Sequence, residues 1–466
     1  MATTLTPTGQ LVRGLTLVAA AAVIVSNIIG TGVFLKARVM TCNVGTPEMV
    51  TGVWIVAGLL SLAGALTYAE LGAMMPRAGG EVNYLGAAYG ERWGFLYGWM
   101  QLLIGKAGSQ AAVAVAFASA VAGALGAGLT APLLRVGALE LTSLQLVAVA
   151  LIAAVTLINL ASVATSGRIA TVLTAVKVAL VLAVAAAAFT YIDGTWGNFG
   201  TSGAGGLCDG VAPGARLGIG GFAAAMLAAL WGYDGWNNMA LVAGEVKDPG
   251  RNIPRGLLLG VGGVMLLYVV VNMAYFYAMS PAEIASVPKD GVVAIEVMRR
   301  VIGPLGVSVM AGGLMASSFG TLHSSMLSGS RIPYRLAEDG LLPRRLARLT
   351  PGTRVPLWSV ITQGAWASVL ALSGSFDALT DYVIFGSWIF YGLTISAVFV
   401  LRRTMPDAER PYRAWGYPVV PALFLLVTAF LLVNTLITSP VQSVVGLGLI
   451  ALGLPVYALF DRHRTA

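Results

Sequence analysis

The stretch Val23-Ile24-Val25-Ser26-Asn27-Ile28-Ile29-Gly30-Thr31-Gly32-Val33-Phe34 decides how this chain is read. It is an apolar span interrupted at its centre by two glycines and a threonine. A second stretch of the same kind lies in the other half of the chain: Ala228-Ala229-Leu230-Trp231-Gly232-Tyr233-Asp234-Gly235-Trp236-Asn237. Inside a bilayer, unwound backbone is costly, because its N–H and C=O groups lose their helical partners. Breaks are tolerated where they line a cavity and a ligand supplies what is missing. Two of them in corresponding positions of two halves point to a binding site near the midplane.

The rest of the chain is built for a bilayer. It is 57% apolar and 10% charged, with a mean hydropathy of +0.83, whereas a soluble domain carries about 25% charged residues. Apolar runs near the ~20 residues needed to cross recur along the whole length. Twelve are read, at residues 13–41, 49–75, 90–126, 141–163, 168–193, 216–243, 255–280, 300–332, 355–374, 377–402, 416–438 and 441–461. The fold class is an all-α polytopic membrane protein, one domain over 1–466, since no long soluble domain fits between the spans. The first span is kept as a mature helix: it holds the central break, and nothing after it resembles a signal-peptidase site.

Lys and Arg set the orientation. With the N-terminus inside and the spans alternating, 19 of the 28 fall inside, Arg13 and Arg354 among them, and 7 outside; Lys106 and Lys177 lie within spans. Both termini are therefore expected in the cytoplasm, in a multi-pass protein of the cytoplasmic membrane. The bias accounts for the net charge of +8 with the lipid bilayer as partner and no nucleic acid. Cys42 and Cys208 both fall outside, where oxidation is possible. The simpler reading is two unpaired thiols, and two lone cysteines make no metal site.

The loops carry further signals. Pro76-Arg77-Ala78-Gly79-Gly80-Glu81 is a tight polar turn. Residues 81–99 mix Tyr84, Tyr89, Trp93, Tyr97 and Trp99 with Glu91 and Arg92, which suits a short interfacial helix with aromatic anchors. Prolines 249 and 254 stop one helix and start the next. Arg344, Arg345, Arg348 and Arg354 form a basic loop whose plain role is to fix topology.

Taken together, Ile28-Ile29-Gly30-Thr31-Gly32-Val33-Phe34, Tyr68-Ala69-Glu70-Leu71-Gly72 and Tyr233-Asp234-Gly235-Trp236-Asn237 resemble the amino acid–polyamine–organocation superfamily. Within it they look most like the L-type amino acid transporter branch and its bacterial relatives. Arg402-Arg403, then Arg410-Pro411-Tyr412-Arg413 and Tyr417-Pro418, is similar to that family's loop after the tenth span. The resemblance runs from about Arg13 to Tyr457. It implies a 5+5 inverted repeat with the first and sixth helices broken: residues 13–193 as the first repeat, 216–402 as the second, and 416–461 as two additional helices.

Physics and resemblance meet at the breaks. Glycines expose bare backbone N–H groups, and the half-helix that follows presents its positive end, which suits an anion. The resemblance places the substrate α-carboxylate at Gly30, Thr31 and Gly32, with the carbonyl of Ile28 facing the α-ammonium. In the second break the carbonyls near Trp231 and Asp234, beside Gly235, complete the ammonium cage, and Trp231 takes the place of the family's aromatic gate. Asp234 has two readings: it meets a cationic side chain, or it orients the unwound backbone and pairs with another polar group. The second is preferred.

Lys177, deep in the fifth span, needs partners or a lowered pKa. In sodium-coupled relatives of this fold a sodium ion bridges the first and eighth helices; the resemblance puts Lys177 in its place, with Ser317 and Ser318 nearby. His323 reads as a packed, hydrogen-bonded residue. Phe385 and Trp388 read as core, and Lys106 as paired or lining the vestibule, with no partner named.

The function implied is secondary active transport of L-amino acids by alternating access, as sodium-independent exchange of neutral substrates. A proton-coupled symporter, or a cationic amino acid or polyamine transporter using Asp234, are the alternatives, and a membrane amino acid sensor a remoter one. No nucleophile–base pair, metal-ligand cluster or phosphate loop suggests an enzyme or a cofactor. A ring-like channel filter does not fit two broken helices. Heavy-chain partners in this family join through a cysteine after the third span; residues 127–140 hold none, so no disulfide-linked partner is expected.

Overall fold

The computed structural model describes residues 15–465, apart from 78, 126–128, 130, 137–138, 162, 242, 290, 352, 354, 374–375 and 439. Arg13 and Arg354, counted in the charge bias, lie outside the described residues. The first expected span is three helices in series, α1 (Leu17–Ile28), α2 (Gly32–Leu35) and α3 (Ala37–Val44). Then come α4 (Pro47–Met74), α5 (Glu81–Tyr89), α6 (Glu91–Met100) and α7 (Lys106–Leu125), with a π-helical run Gln101–Gly105 between the last two. A two-stranded antiparallel hairpin, β1 (Pro132–Val136) and β2 (Leu139–Thr142), leads to α8 (Ser143–Asn159) and α9 (Val163–Phe189). The second half runs through α10 (Gly218–Tyr233), α11 (Asn238–Leu241), α12 (Pro249–Ala278), α13 (Pro281–Ala285), α14 (Val293–Ile302) and α15 (Pro304–Gly329). It ends in α16 (Arg331–Glu338), α17 (Leu357–Ser373), α18 (Phe376–Thr404), α19 (Val419–Thr438), α20 (Pro440–Ala451) and α21 (Gly453–Thr465).

Local chemistry starts these helices where the chain needs them. Thr46 accepts a hydrogen bond from the Met49 N–H, and Pro47 follows at the first helical position, where its missing N–H costs nothing. Thr142 and Gln145 form a capping box for α8, each satisfying the other's orphan donor. Among the described residues nine helices are long and apolar enough to cross a membrane, and α8 and α17 are shorter apolar helices. The sixth expected span falls short for a physical reason: it is split into α10 and α11 at Asp234–Asn237.

Two expectations change. Residues 81–99 are not one interfacial helix. Gly90, at φ +95, ends α5 and turns the chain into α6, a conformation glycine adopts without strain. Tyr84 and Tyr97 are fully buried rather than anchored at a surface. Cys42 and Cys208 are not unpaired thiols; they are joined, with Cα atoms 5.6 Å apart. The reading as lone thiols failed because the loop before α10 is strapped onto α3. The Leu217 N–H donates to the Asn43 carbonyl at 2.7 Å and the Arg38 guanidinium to the Asp209 carbonyl at 2.8 Å. That strap brings together cysteines 166 positions apart, closing a long loop and restricting the unfolded chain.

The helices around the breaks pack in matched pairs: α4 on α12, α7 on α15, and α8 on α17. α1 lies against α9, α12 and α15, so its break is enclosed on several sides. Tyr68-Ala69-Glu70-Leu71-Gly72 and the loop after α18 also come together. Arg402 grips the buried Glu70 through two hydrogen bonds, Nε to Oε1 at 2.9 Å and Nη2 to Oε2 at 2.7 Å. Arg410 and the Ala414 N–H complete the shell around the carboxylate, and the Arg402 guanidinium lies 3.7 Å from the Tyr417 ring centre. A fork-to-fork pair of this kind fixes geometry as well as charge.

Candidate substrate site

The two breaks meet backbone to backbone. α1 ends at Ile28 and α2 begins at Gly32, so the helical ladder is interrupted between them. α10 ends at Tyr233, and Gly235, at φ +113, turns the chain before α11. A Cβ on Gly32 would lie 2.6 Å from the Gly232 Cα, and one on Gly235 would lie 2.6 Å from the Asn27 carbonyl oxygen. Only glycine permits either approach. Gly30 is different: a Cβ there would sit 3.5 Å from the Thr321 Oγ1, an ordinary contact.

Tyr268 of α12 holds the two breaks in register. Its hydroxyl lies 3.1 Å from the Ile28 carbonyl oxygen and 3.0 Å from that of Gly232. The Ile28 carbonyl, expected to stand free for an ammonium, already has this partner; its second lone pair is what a ligand can use. Trp54 packs edge-on against Tyr233 and Tyr268, at ring distances of 5.7 and 5.1 Å, and backs the pair.

A cavity of ≈ 40 Å³ opens at the breaks, lined by Ile28, Gly30, Thr31 and Gly32, by Trp231, Asp234 and Gly235, and by residues of α7 and α15. Thr31 is 2% exposed, and its hydroxyl has no hydrogen-bond partner among the described residues. An orphaned buried hydroxyl costs stability unless something binds it. Trp231 is 8% exposed on the cavity wall. The Asp234 carboxylate accepts a 2.7 Å hydrogen bond from the Tyr391 hydroxyl, and its N–H donates to the Trp231 carbonyl.

A second polar centre lies behind the first break. The Lys177 ammonium, 1% exposed, donates to the Ser26 carbonyl and to the Thr321 Oγ1, both at 2.8 Å. Thr321 lies 3.0 Å from the Ser317 carbonyl, its own helix one turn back. Ser317 donates to the Gly30 carbonyl at 3.2 Å. Lys177 thus reaches Thr321 rather than Ser317 or Ser318; the Ser318 hydroxyl is buried with no partner among the described residues. One lysine ties α9 to α1 and α15.

Lys106 now has a partner: it donates to Asn238 Oδ1. Asn238 in turn donates to Asn27 at 3.2 Å, and Asn237 donates to the buried Glu81 at 3.0 Å. His323 is fully buried, 3.0 Å from Asn159 and stacked beside Phe319. Trp388 stacks on Phe424 at 5.4 Å, and neither it nor Phe385 lines the cavity.

Residues 15–460 match the family model for amino acid permeases. The chain belongs to the amino acid permease family, within the amino acid–polyamine–organocation superfamily. It is an amino acid transporter and a multi-pass membrane protein. It is 30% identical to the serine/threonine exchanger SteT of Bacillus subtilis (strain 168), over 95% of each chain. It is 28% identical to the mouse b(0,+)-type amino acid transporter 1, covering 95% of this chain and 86% of that one. The rabbit large neutral amino acids transporter small subunit 2 is 31% identical, over 95% of this chain and 79% of the relative.

Asn238, Tyr268, Thr321 and Tyr391 were not singled out in the sequence. Thr321 had a signal: it follows Ser317 by four residues, one helical turn, on an apolar helix. Asn237-Asn238 had another, two amides together in a membrane segment.

Proposed function

We propose that this protein exchanges neutral L-amino acids across the cytoplasmic membrane by alternating access, without sodium. The observation that carries the reading is the junction of the two breaks. Gly32 and Gly232 meet at a cavity that also holds the orphaned Thr31 hydroxyl. A carboxylate at Gly30, Thr31 and Gly32 would receive backbone N–H groups and that hydroxyl. An ammonium would turn to the Ile28 carbonyl and those of the second break. The relative named as a serine/threonine exchanger favours small polar substrates.

Twelve membrane crossings, both termini cytoplasmic, and two inverted five-helix repeats over 13–193 and 216–402 complete the proposal. The matched pairs α4 with α12, α7 with α15 and α8 with α17 support the repeats, since each joins helices of equal rank in the two halves. Lys177 replaces a coupling cation with a tethered one at the junction of α1 and α15. Substrate, by binding the inward and outward forms differently, shifts their populations.

One observation favours a second reading, proton symport. The Ser26 carbonyl and the Thr321 hydroxyl that Lys177 bonds are both neutral, so its deprotonation leaves neither of them with an unmatched charge. Counterflow in proteoliposomes decides between them. Labelled serine entering against internal serine, equally in sodium or choline and with no pH gradient, is the result for exchange; uptake that needs a proton gradient is the result for symport.

A further inference from the structure

The segments that carry the two breaks are fastened together a second time, away from the cavity. α10 packs along α2 and α3. At one end Gly32 and Gly232 meet backbone to backbone. Eleven residues on from Gly32 stands Asn43, and eleven back from Gly232 stands Gly221. These two meet in the same way: a Cβ on Gly221 would run into the Asn43 carbonyl oxygen. Eleven residues make about three helical turns. Gly221 and Gly232 therefore share one face of α10, and that face touches its neighbour closely at both ends.

Asn43, 1% exposed, also grips the chain just before α10. Its carbonyl accepts the Leu217 N–H at 2.7 Å, and its side-chain amide donates to the Ala215 carbonyl. Leu217 is held at φ +61, a conformation unfavourable for a branched side chain. Next to Asn43, Cys42 is bonded to Cys208. The Gly203 N–H donates to the Gly45 carbonyl at 2.6 Å, and the Cys208 N–H to the Ala285 carbonyl at 3.0 Å. The start of α10 cannot slide along α3 without breaking these ties.

We propose that Asn43, with the adjoining Cys42–Cys208 bond, is a positioning clasp for the substrate carboxylate. It fixes where α10 starts on α3 and so, about 16 Å away, how closely Gly232 bears on Gly32. The proposal rests on the reading that Gly30, Thr31 and Gly32 hold the carboxylate. If the clasp is loosened, α10 shifts, the Gly232 backbone moves against Gly32, and the N–H groups of the first break turn off the ligand. A displacement of about 1 Å is enough to cost a well-aimed contact.

The test compares equilibrium binding of L-serine and L-serine methyl ester, which lacks the carboxylate, to the protein in lipid nanodiscs. The preference for serine over the ester falls at least tenfold in Gly221→Ala, whose methyl group meets the Asn43 carbonyl. It falls at least threefold in Asn43→Ala and in Cys42→Ser/Cys208→Ser, which lose one tie each. Thermal unfolding of the same preparations is read beside it, with Arg402→Ala as a variant destabilised away from the cavity that keeps the unmodified preference. A merely structural clasp would lower stability and leave the preference alone, so clasp variants that bind serine with the unmodified preference overturn the proposal. A fall in Arg402→Ala as large as in Gly221→Ala overturns it too, since preference would then follow stability. Should Gly221→Ala fail to fold, the disulfide-free protein decides alone, and an unchanged preference there overturns the proposal. The underlying placement of the carboxylate fails separately, if the unmodified protein binds the ester as well as L-serine.

Discussion

Lys177 and Thr321 are joined by a 2.8 Å hydrogen bond, and through it α9 is fastened to α15 beside the break after α1. The same ammonium holds the Ser26 carbonyl at 2.8 Å. In the proposed cycle, this fixed cation binds α1 to its neighbours without waiting for an ion. Lys177→Ala leaves a carbonyl and a hydroxyl without their donor, at about 1–3 kcal/mol each. Serine affinity is expected to change less than threefold while exchange slows at least tenfold, read from equilibrium binding and initial exchange rates on the same preparation. A variant with full exchange rates contradicts the role.

The breaks make a contrast between two neighbouring glycines. Gly32→Ala drives a methyl group into the Gly232 backbone at 2.6 Å, where no flexible side chain can give way. Gly30→Ala makes only an ordinary contact with Thr321. Serine exchange should fall at least a hundredfold in the first and less than fivefold in the second, with both present in the membrane at similar levels. Equal loss in the two would show that the close approach does not matter.

Asp234→Asn keeps the shape of the second break but loses the charge that the Tyr391 hydroxyl answers. Exchange of serine and alanine is expected to fall together, by about tenfold, the effect of ~1.4 kcal/mol. Parallel rates for the two substrates, measured against the unmodified protein, check it. A selective loss of lysine or arginine uptake would return Asp234 to the role of a cation receptor.

The pair of Glu70 and Arg402 predicts a stability effect away from the substrate. Arg402→Ala removes both hydrogen bonds of the fork. Arg410 and the Ala414 N–H remain around the carboxylate, so the expected loss is about 1–3 kcal/mol rather than a collapse of the fold. Arg402→Lys should recover little, because an ammonium cannot make the two-pronged contact. Thermal unfolding in detergent gives the comparison; a lysine variant as stable as the unmodified protein would count against the geometry.

Much of this was legible in the sequence because a bilayer leaves few options. Apolar length located the helices, and glycines amid polar residues located the two breaks. What the sequence hid was contact between distant segments. Nothing in Tyr268 announces that its hydroxyl sits between the carbonyls of Ile28 and Gly232, residues far apart in the chain. The Cys42–Cys208 bond was hidden for the same reason: two lone cysteines carry no pairing signal, and the loop strapped to α3 is what brings them together. Thr321 was passed over for Ser317 and Ser318 because residue type and helical rank place a hydroxyl only to within about a turn. Glu81 opens a helix that looks interfacial by composition, yet it is buried against Asn237, since composition does not say which way a short helix faces.

One measurement bears on the whole chain of argument: counterflow of labelled L-serine into proteoliposomes loaded with unlabelled L-serine, in sodium buffer and in choline buffer at one pH. Under the proposed exchange, the junction of the breaks supplies the substrate site and Lys177 the cation. Accumulation should therefore depend on internal amino acid and be the same in both buffers. Accumulation into empty vesicles that requires a sodium gradient would contradict it.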